Sequence, residues 1–189
     1  MLEDKGFHCL QCSNRKEQDH FLQVLTRITS TKGDILIGRE SILRCKESVY
    51  QAKLKELGVV YSDYKFIEYK NVFDNLKYYL EIRGSSAEKI EETIEESLDF
   101  FGIKEQKTRE INSLNHDEKV VIGLARAMMT DPKYLILDDI HIGMNSKMWE
   151  KIYNFLIKLS NSGTGILYLT SDKGFKKDNK ITTMIEGAL

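Results

Sequence analysis

Two rhythms of apolar residues alternate along this chain. Short, densely apolar runs at Phe7 to Cys12, Ile35 to Ile37, Val59 to Tyr61, Tyr134 to Leu137 and Gly165 to Thr170 read as strands. Between them, apolar residues return every three or four positions, the spacing that lines one face of a helix. Asp19 to Ile28 is such a segment, with Phe21, Leu22, Val24, Leu25 and Ile28 turned inward. Val72 to Ile82 is another, with Val72, Leu76, Tyr79 and Leu80 on one side. Ser85 and Glu88 have the spacing of a capping box for a helix carrying Ile90, Ile94, Leu98 and Phe101, which Gly102 stops. Asp117 to Met129 is helical, and so is Ser146 to Ser160, with Met148, Ile152, Phe155, Leu156 and Leu159 facing in. Thr31 to Asp34 is a turn, and Lys180 to Leu189 reads as a closing hairpin.

Strands alternating with helices predict an α/β fold, with a mostly parallel sheet flanked by helices. The chain of 189 residues fits a single domain over 1–189, with a helical subdomain at about 68–125. Lys plus Arg number 28 against 29 for Asp plus Glu, so no basic excess points to nucleic acid or anionic lipid. No apolar run is long enough to span a bilayer, and the first residues lack a charged-then-apolar signal pattern, so a cytoplasmic location is expected. Three cysteines, an odd number, do not make a disulfide framework. Cys9, Cys12, Cys45 and His8 admit a zinc reading, against which stands the simpler one of small buried thiols. His20, His116 and His141 are candidates for metal binding or pH sensing, or plain polar residues. The acidic run Glu88 to Glu96 reads as a solvated helix face.

The segments VVYSDYKFIEYKNVFDNLKYYLEIRG and ARAMMTDPKYLILDD, with GDILIG before them and MIEGAL after, carry a resemblance. From about Gly6 to Leu189 the chain resembles the nucleotide-binding domain of ABC transporters, closest to the cell-division and lipoprotein-releasing ATPases. The resemblance implies a P-loop NTPase-like fold in which the family's N-terminal β-strands have no counterpart. It also implies where the nucleotide machinery falls. The phosphate loop corresponds to Cys12 to His20, including Asn14, Arg15, Lys16, Gln18 and Asp19. Cys12 and Glu17 replace its glycines, Gln18 its lysine and Asp19 its hydroxyl. A carboxylate about 4 Å from a phosphate charge repels it by roughly 4 kcal/mol at an effective dielectric of about 20. A helix N-terminus attracts an anion by only about 0.3–2 kcal/mol. Asp19 is therefore expected to cap the helix rather than meet phosphate.

The remaining motifs change in the same direction. The loop glutamine falls at Ser62, and the signature Ser-Gly-Gly at Asn115, His116 and Asp117. The magnesium-side aspartate is retained as Asp138, and the catalytic glutamate becomes Asp139. The switch histidine falls at Ser171 and the dimer-loop aspartate at Asn145, while Arg126 anchors the signature helix. These losses imply a pseudo-ATPase that docks on a membrane permease, on another ATPase subunit, or on a second copy of itself. No cofactor is expected under that reading. ATP and magnesium enter only under its alternative, a weak ATPase using Arg15, Lys16 and Asp138 in a non-standard way; a stand-alone regulatory or immunity module is a third reading. Tyr61, Tyr64, Phe66, Tyr69 and Phe73 mark the permease-docking groove, or else belong to the core.

Overall fold

The structure is a computed structural model that describes residues 5–37 and 40–175, and the backbone of 183–187. A five-stranded sheet runs in the order β4-β5-β6-β1-β7. Its strands are β1 (Gly6–Cys12), β4 (Leu57–Val60), β5 (Tyr134–Asp138), β6 (Gly165–Thr170) and β7 (Thr183–Gly187). Every pairing within it is parallel. A separate antiparallel pair joins β2 (Leu36–Ile37) to β3 (Glu40–Ser41). No described strand precedes β1.

Side chains alternate across the sheet and divide the core in two. Phe7, Cys9, Leu135, Leu137, Ile166 and Tyr168 face one side. There they meet buried residues of α3 (Val72–Ile82), α4 (Ala87–Phe100), α5 (His116–Met128) and α6 (Ser146–Asn161). Ile136 and Leu169 face the other side, with Leu22 and Leu25 of α1 (Arg15–Leu25) and Tyr50 of α2 (Glu47–Lys55). A sheet covered on both faces explains why β5 and β6 read as continuous apolar runs rather than as alternating ones.

Expected and observed elements differ at identifiable places. α1 begins a turn before Asp19, and Asn14 is its cap. Ile28 lies beyond that helix and is 76% exposed, so it is not an inward residue. α2 has a single buried residue, Tyr50, and therefore shows no apolar stripe in sequence. The cap of α4 is Ser86, which makes no side-chain capping bond, so Ser85 and Glu88 do not form the expected box. At the chain's end, β7 adds in parallel beside β1. The rest of the expected hairpin over 180–189 lies outside the described residues.

The close approach of β4 to the end of α5, to Pro132 and to β5 depends on Gly58. A Cβ there would lie 2.8 Å from the Ala127 carbonyl oxygen and 3.1 Å from side-chain carbons of Leu135 and Pro132. Gly58→Ala is expected to destabilise the fold by about 1–3 kcal/mol through overpacking. Urea unfolding monitored by circular dichroism measures it.

Candidate functional site

Because β1, β4, β5 and β6 run the same way, their carboxyl ends share one edge of the sheet, where open α/β sheets bind ligands. Four segments leave that edge: the turn after Cys12, the loop at Ser62, the bend at Asp139 and the exit at Ser171.

At its centre is Asp138, which the buried strand β5 delivers at 1% exposure. A carboxylate withdrawn from water costs several kcal/mol unless its charge is met. Here five hydrogen bonds meet it. Arg15 forks onto it, Nη1 donating to Oδ1 at 3.0 Å and Nη2 to Oδ2 at 2.9 Å. Gln18 Nε2 donates to Oδ1 at 2.5 Å. The Ser62 amide and hydroxyl donate to Oδ2 at 3.1 and 2.8 Å. Arg15 also reaches Asp19 at 2.7 Å and Asp139 at 3.8 Å. Burial pulls the Arg15 guanidinium down, but its bonds to Asp138 and Asp19 outweigh this and leave it above its ordinary value. Gln18 is fully buried, with its Oε1 lacking a partner.

The turn between β1 and α1 is closed by its own side chains. Asn14 Oδ1 accepts from the Glu17 amide at 3.1 Å, and the Ser13 amide donates to Glu17 Oε2 at 2.5 Å. A carboxylate of the chain thus takes an N–H at the helix start, where anions are drawn. Asp19 lies in the second turn and pairs with Arg15, which corrects the expectation that it caps the helix. Lys16 is exposed at the helix start.

Asp139, the next residue, is held mainly by the exit of β6. Its φ of 49° is left-handed, a conformation that costs a non-glycine residue about 1–3 kcal/mol. Thr170 Oγ1 donates to it at 2.5 Å, and the Ser171 amide and hydroxyl donate at 3.3 and 3.2 Å. Beyond it, His141 Nδ1 lies 2.6 Å from the Tyr168 hydroxyl and Nε2 lies 3.1 Å from Asp172. A bond from the Gly174 amide, and then one from His141, hold Asp172 below the usual carboxylate range.

Asn115, His116 and Asp117 form the start of α5. Asn115 caps it in a full capping box with Glu118, which also accepts from Arg109 at 2.7 Å. His116 Nδ1 is hydrogen-bonded to the Tyr64 hydroxyl, and its Nε2 has no partner. Asp117 accepts from the Asn145 amide at 3.1 Å. Arg126, 7% exposed, donates to the carbonyls of Tyr64 at 2.6 Å and Lys65 at 3.2 Å, pinning two residues at φ of 60° and 52°. A cavity of about 230 Å³ joins these parts, lined by Arg15, Ser62, Tyr64, His116, Asp139 and Ser171 among others.

The aromatic set divides. Tyr64, Phe66 and Phe73 pack against the larger core and Tyr61 against the smaller, whereas Tyr69 is 79% exposed. No metal-holding cluster occurs among the described residues. Burial first, and then nearby acids, push the Cys9 thiol up to about 12 and Cys12 to about 11, as expected of inert buried thiols. Thr170 and Gln11, which donates to the Asp172 carbonyl at 3.0 Å, had no signal in the sequence.

Residues 20–141 match the sequence profile of the family described as ABC transporter. The cell division ATP-binding protein FtsE of Streptococcus pneumoniae is 30% identical over 152 residues, covering 79% of this chain and 66% of that protein. The methionine import ATP-binding protein MetN 1 of Burkholderia orbicola is 25% identical over 150 residues, covering 79% and 43%. The chain thus spans less than two thirds to under half of the length of these relatives. A solved dimeric ATP-binding cassette in a post-hydrolysis state, bound to ADP and Pi, shares the fold. Its TM-score is 0.76 at 18% identity, covering 91% of this chain and 77% of that one.

These matches overturn the expectation of no cofactor. The relatives are named as ATP-binding proteins. The acceptors of Asp138 are taken by Arg15, Gln18 and Ser62, and the Ser13 amide is taken by Glu17. Asp138 is the right kind of group for a divalent cation, and Lys16 for phosphate.

The cap of α5 has a pH signature. The Asn115 amide, and then Arg109, lower the Glu118 pKa below its ordinary 4.5. The unfolded chain therefore binds the proton more readily, and the stability this gives is fully present above about pH 4.5 and lost as pH falls through the lowered folded value. Glu118→Gln is expected to flatten that part of the acid limb, as read by thermal melts between pH 3 and 6 on the order of half-unit steps.

Proposed function

Because the chain belongs to the ABC transporter family, we propose that it is an ATP-binding subunit latched by its own Arg15–Asp138 pair. Its main work on this reading is to dock on a membrane permease, on a second ATPase subunit or on its own copy, with little hydrolysis of its own. The observation that carries this is the occupation of Asp138 by an internal guanidinium, an amide and a hydroxyl. Nucleotide then competes with a pre-formed ion pair. A hydrogen bond to a charged group contributes about 1.5–3 kcal/mol when buried. Arg15 is 42% exposed, which places the cost of release at the low end. About 1.5–2 kcal/mol corresponds to roughly a ten- to thirtyfold loss of affinity. Asp139, turned onto Thr170 and Ser171, is poorly placed to act as a base.

No helix among the described residues is long and apolar enough to cross a membrane, so on this reading membrane contact runs through a permease at the cytoplasmic face. Tyr69 and Tyr78, at 79% and 51% exposure, supply open aromatic rings for that contact.

The latch is tested by thermal-shift titration with Mg-ATP. Wild type is expected to need about ten- to thirtyfold more nucleotide than Arg15→Ala for the same shift. Turnover is expected to be undetectable in both. Equal affinities, or wild-type hydrolysis of about 1 s⁻¹ or faster, contradict the proposal.

For docking, Tyr69→Ala with Tyr78→Ala is expected to leave the melting temperature unchanged. The same double variant should cut co-purification with the co-expressed permease several-fold. Unchanged recovery removes these rings from the interface.

A further inference from the structure

A second cavity, of about 330 Å³, lies where the end of α2, the turn between α3 and α4, and the residues leaving α5 come together. Its wall contains Lys55, Arg83 and Lys89 and no aspartate or glutamate. Three other cavities of the molecule each include a carboxylate, at Asp139, at Asp131, and at Asp19 with Asp63 and Asp138. The contrast is chemical, because the chain as a whole is nearly neutral, at a net charge of −1.

Arg83 is held as a fixed part of the wall. Its guanidinium donates to the carbonyls of Leu54 at 2.7 Å and Leu57 at 2.8 Å, and lies 5.0 Å from the Tyr79 ring. No carboxylate neutralises it among the described residues. Lys55 and Lys89 are exposed and make no ion pair among the described residues either. Ser85, Ser86 and Thr130 add hydroxyls, and Thr130 Oγ1 is buried without a partner. The start of α4 is not the source of the attraction. Glu88 already takes its own amide and the Ser86 hydroxyl, which lowers its pKa. The pull comes from three side-chain cations around a hollow whose wall holds no carboxylate, Glu88 being turned to its own amide and Ser86.

We propose that this cavity binds a phosphate-bearing anion, with Lys55, Arg83 and Lys89 supplying the charge and the Ser85 and Thr130 hydroxyls further hydrogen bonds. A single carboxylate leaves most of that charge unmet, whereas a phosphate or pyrophosphate group carries two or more charges and several acceptors. The site shares no residue with the Arg15–Asp138 latch, so it stands or falls separately from the proposed nucleotide function. The anion is either free in solution or the headgroup of a lipid.

Backbone amide NMR titration of the full chain with sodium pyrophosphate tests the first source. Saturable shifts are expected at Gly84, Lys89 and Thr130, weakening as salt is raised. Flotation with phosphatidic acid vesicles, against pure phosphatidylcholine vesicles, tests the second. In either arm the double variant Lys55→Glu, Lys89→Glu is expected to weaken binding about tenfold or more. Both side chains are exposed, so its melting temperature should match wild type. Binding in solution alone assigns a free anion, and binding to vesicles alone assigns a headgroup. No saturable binding in either arm, or binding that the double variant leaves unchanged, overturns the proposal.

Discussion

The buried charge of Asp138 is the constraint around which this edge of the molecule is arranged. A carboxylate at 1% exposure, left alone, would cost more than most single interactions in the fold can return. It is met by groups from two separate parts of the chain: α1 through Arg15 and Gln18, and the exit of β4 through Ser62. Satisfying the charge therefore fixes where α1 starts and where the chain turns after Val60. The same group that orders the edge is the one a divalent cation would need. Order and occupancy compete for a single carboxylate.

A buried cation, Arg126, plays the complementary part. Arg126 is held by carbonyls and aromatic rings rather than by a carboxylate. Burial lowers its pKa, yet it stays in place because Tyr64 and Lys65 turn their carbonyls to it in a left-handed bend. That bend aims the Tyr64 hydroxyl at His116, the first residue of α5. The segment after β4 is thus tied at one end to Asp138 and at the other to α5, and it couples the sheet edge to the helical face.

Much of this was legible in the sequence where packing and local preference agree. Val72 to Ile82 carries a clear stripe and a good cap at Asn71, and its helix has the expected limits. Gly165 to Thr170 is buried on both faces and is the expected strand. The sequence was misleading where one side chain does the work of a whole pattern. α2 buries only Tyr50, so no periodicity marks it. The expected start of α1 falls too late because Asn14 to Gln18 lies in the segment that resembles a phosphate loop, whereas Asn14 serves as a helix cap. At the site, sequence placed Asp138, Arg15 and Gln18 near one another but gave no sign that they bond. Fork geometry between residues 123 apart is a tertiary fact.

On the proposed reading, the internal charges at this edge act as one exchange rather than as separate changes. Where a phosphate would be drawn to the start of α1, Glu17 supplies a carboxylate to the Ser13 amide. Where a cation would sit against Asp138, Arg15 supplies a guanidinium. On that reading each internal group has the sign of the ligand charge whose place it takes, which keeps the edge electrostatically balanced. An edge that had lost only its glycines or only its lysine would be left with uncompensated N–H groups or an uncompensated carboxylate, and would be less stable for it. Paired replacement avoids that penalty. On the proposed reading it also sets the direction of the competition, because an incoming nucleotide would have to displace both internal charges and would recover only the difference.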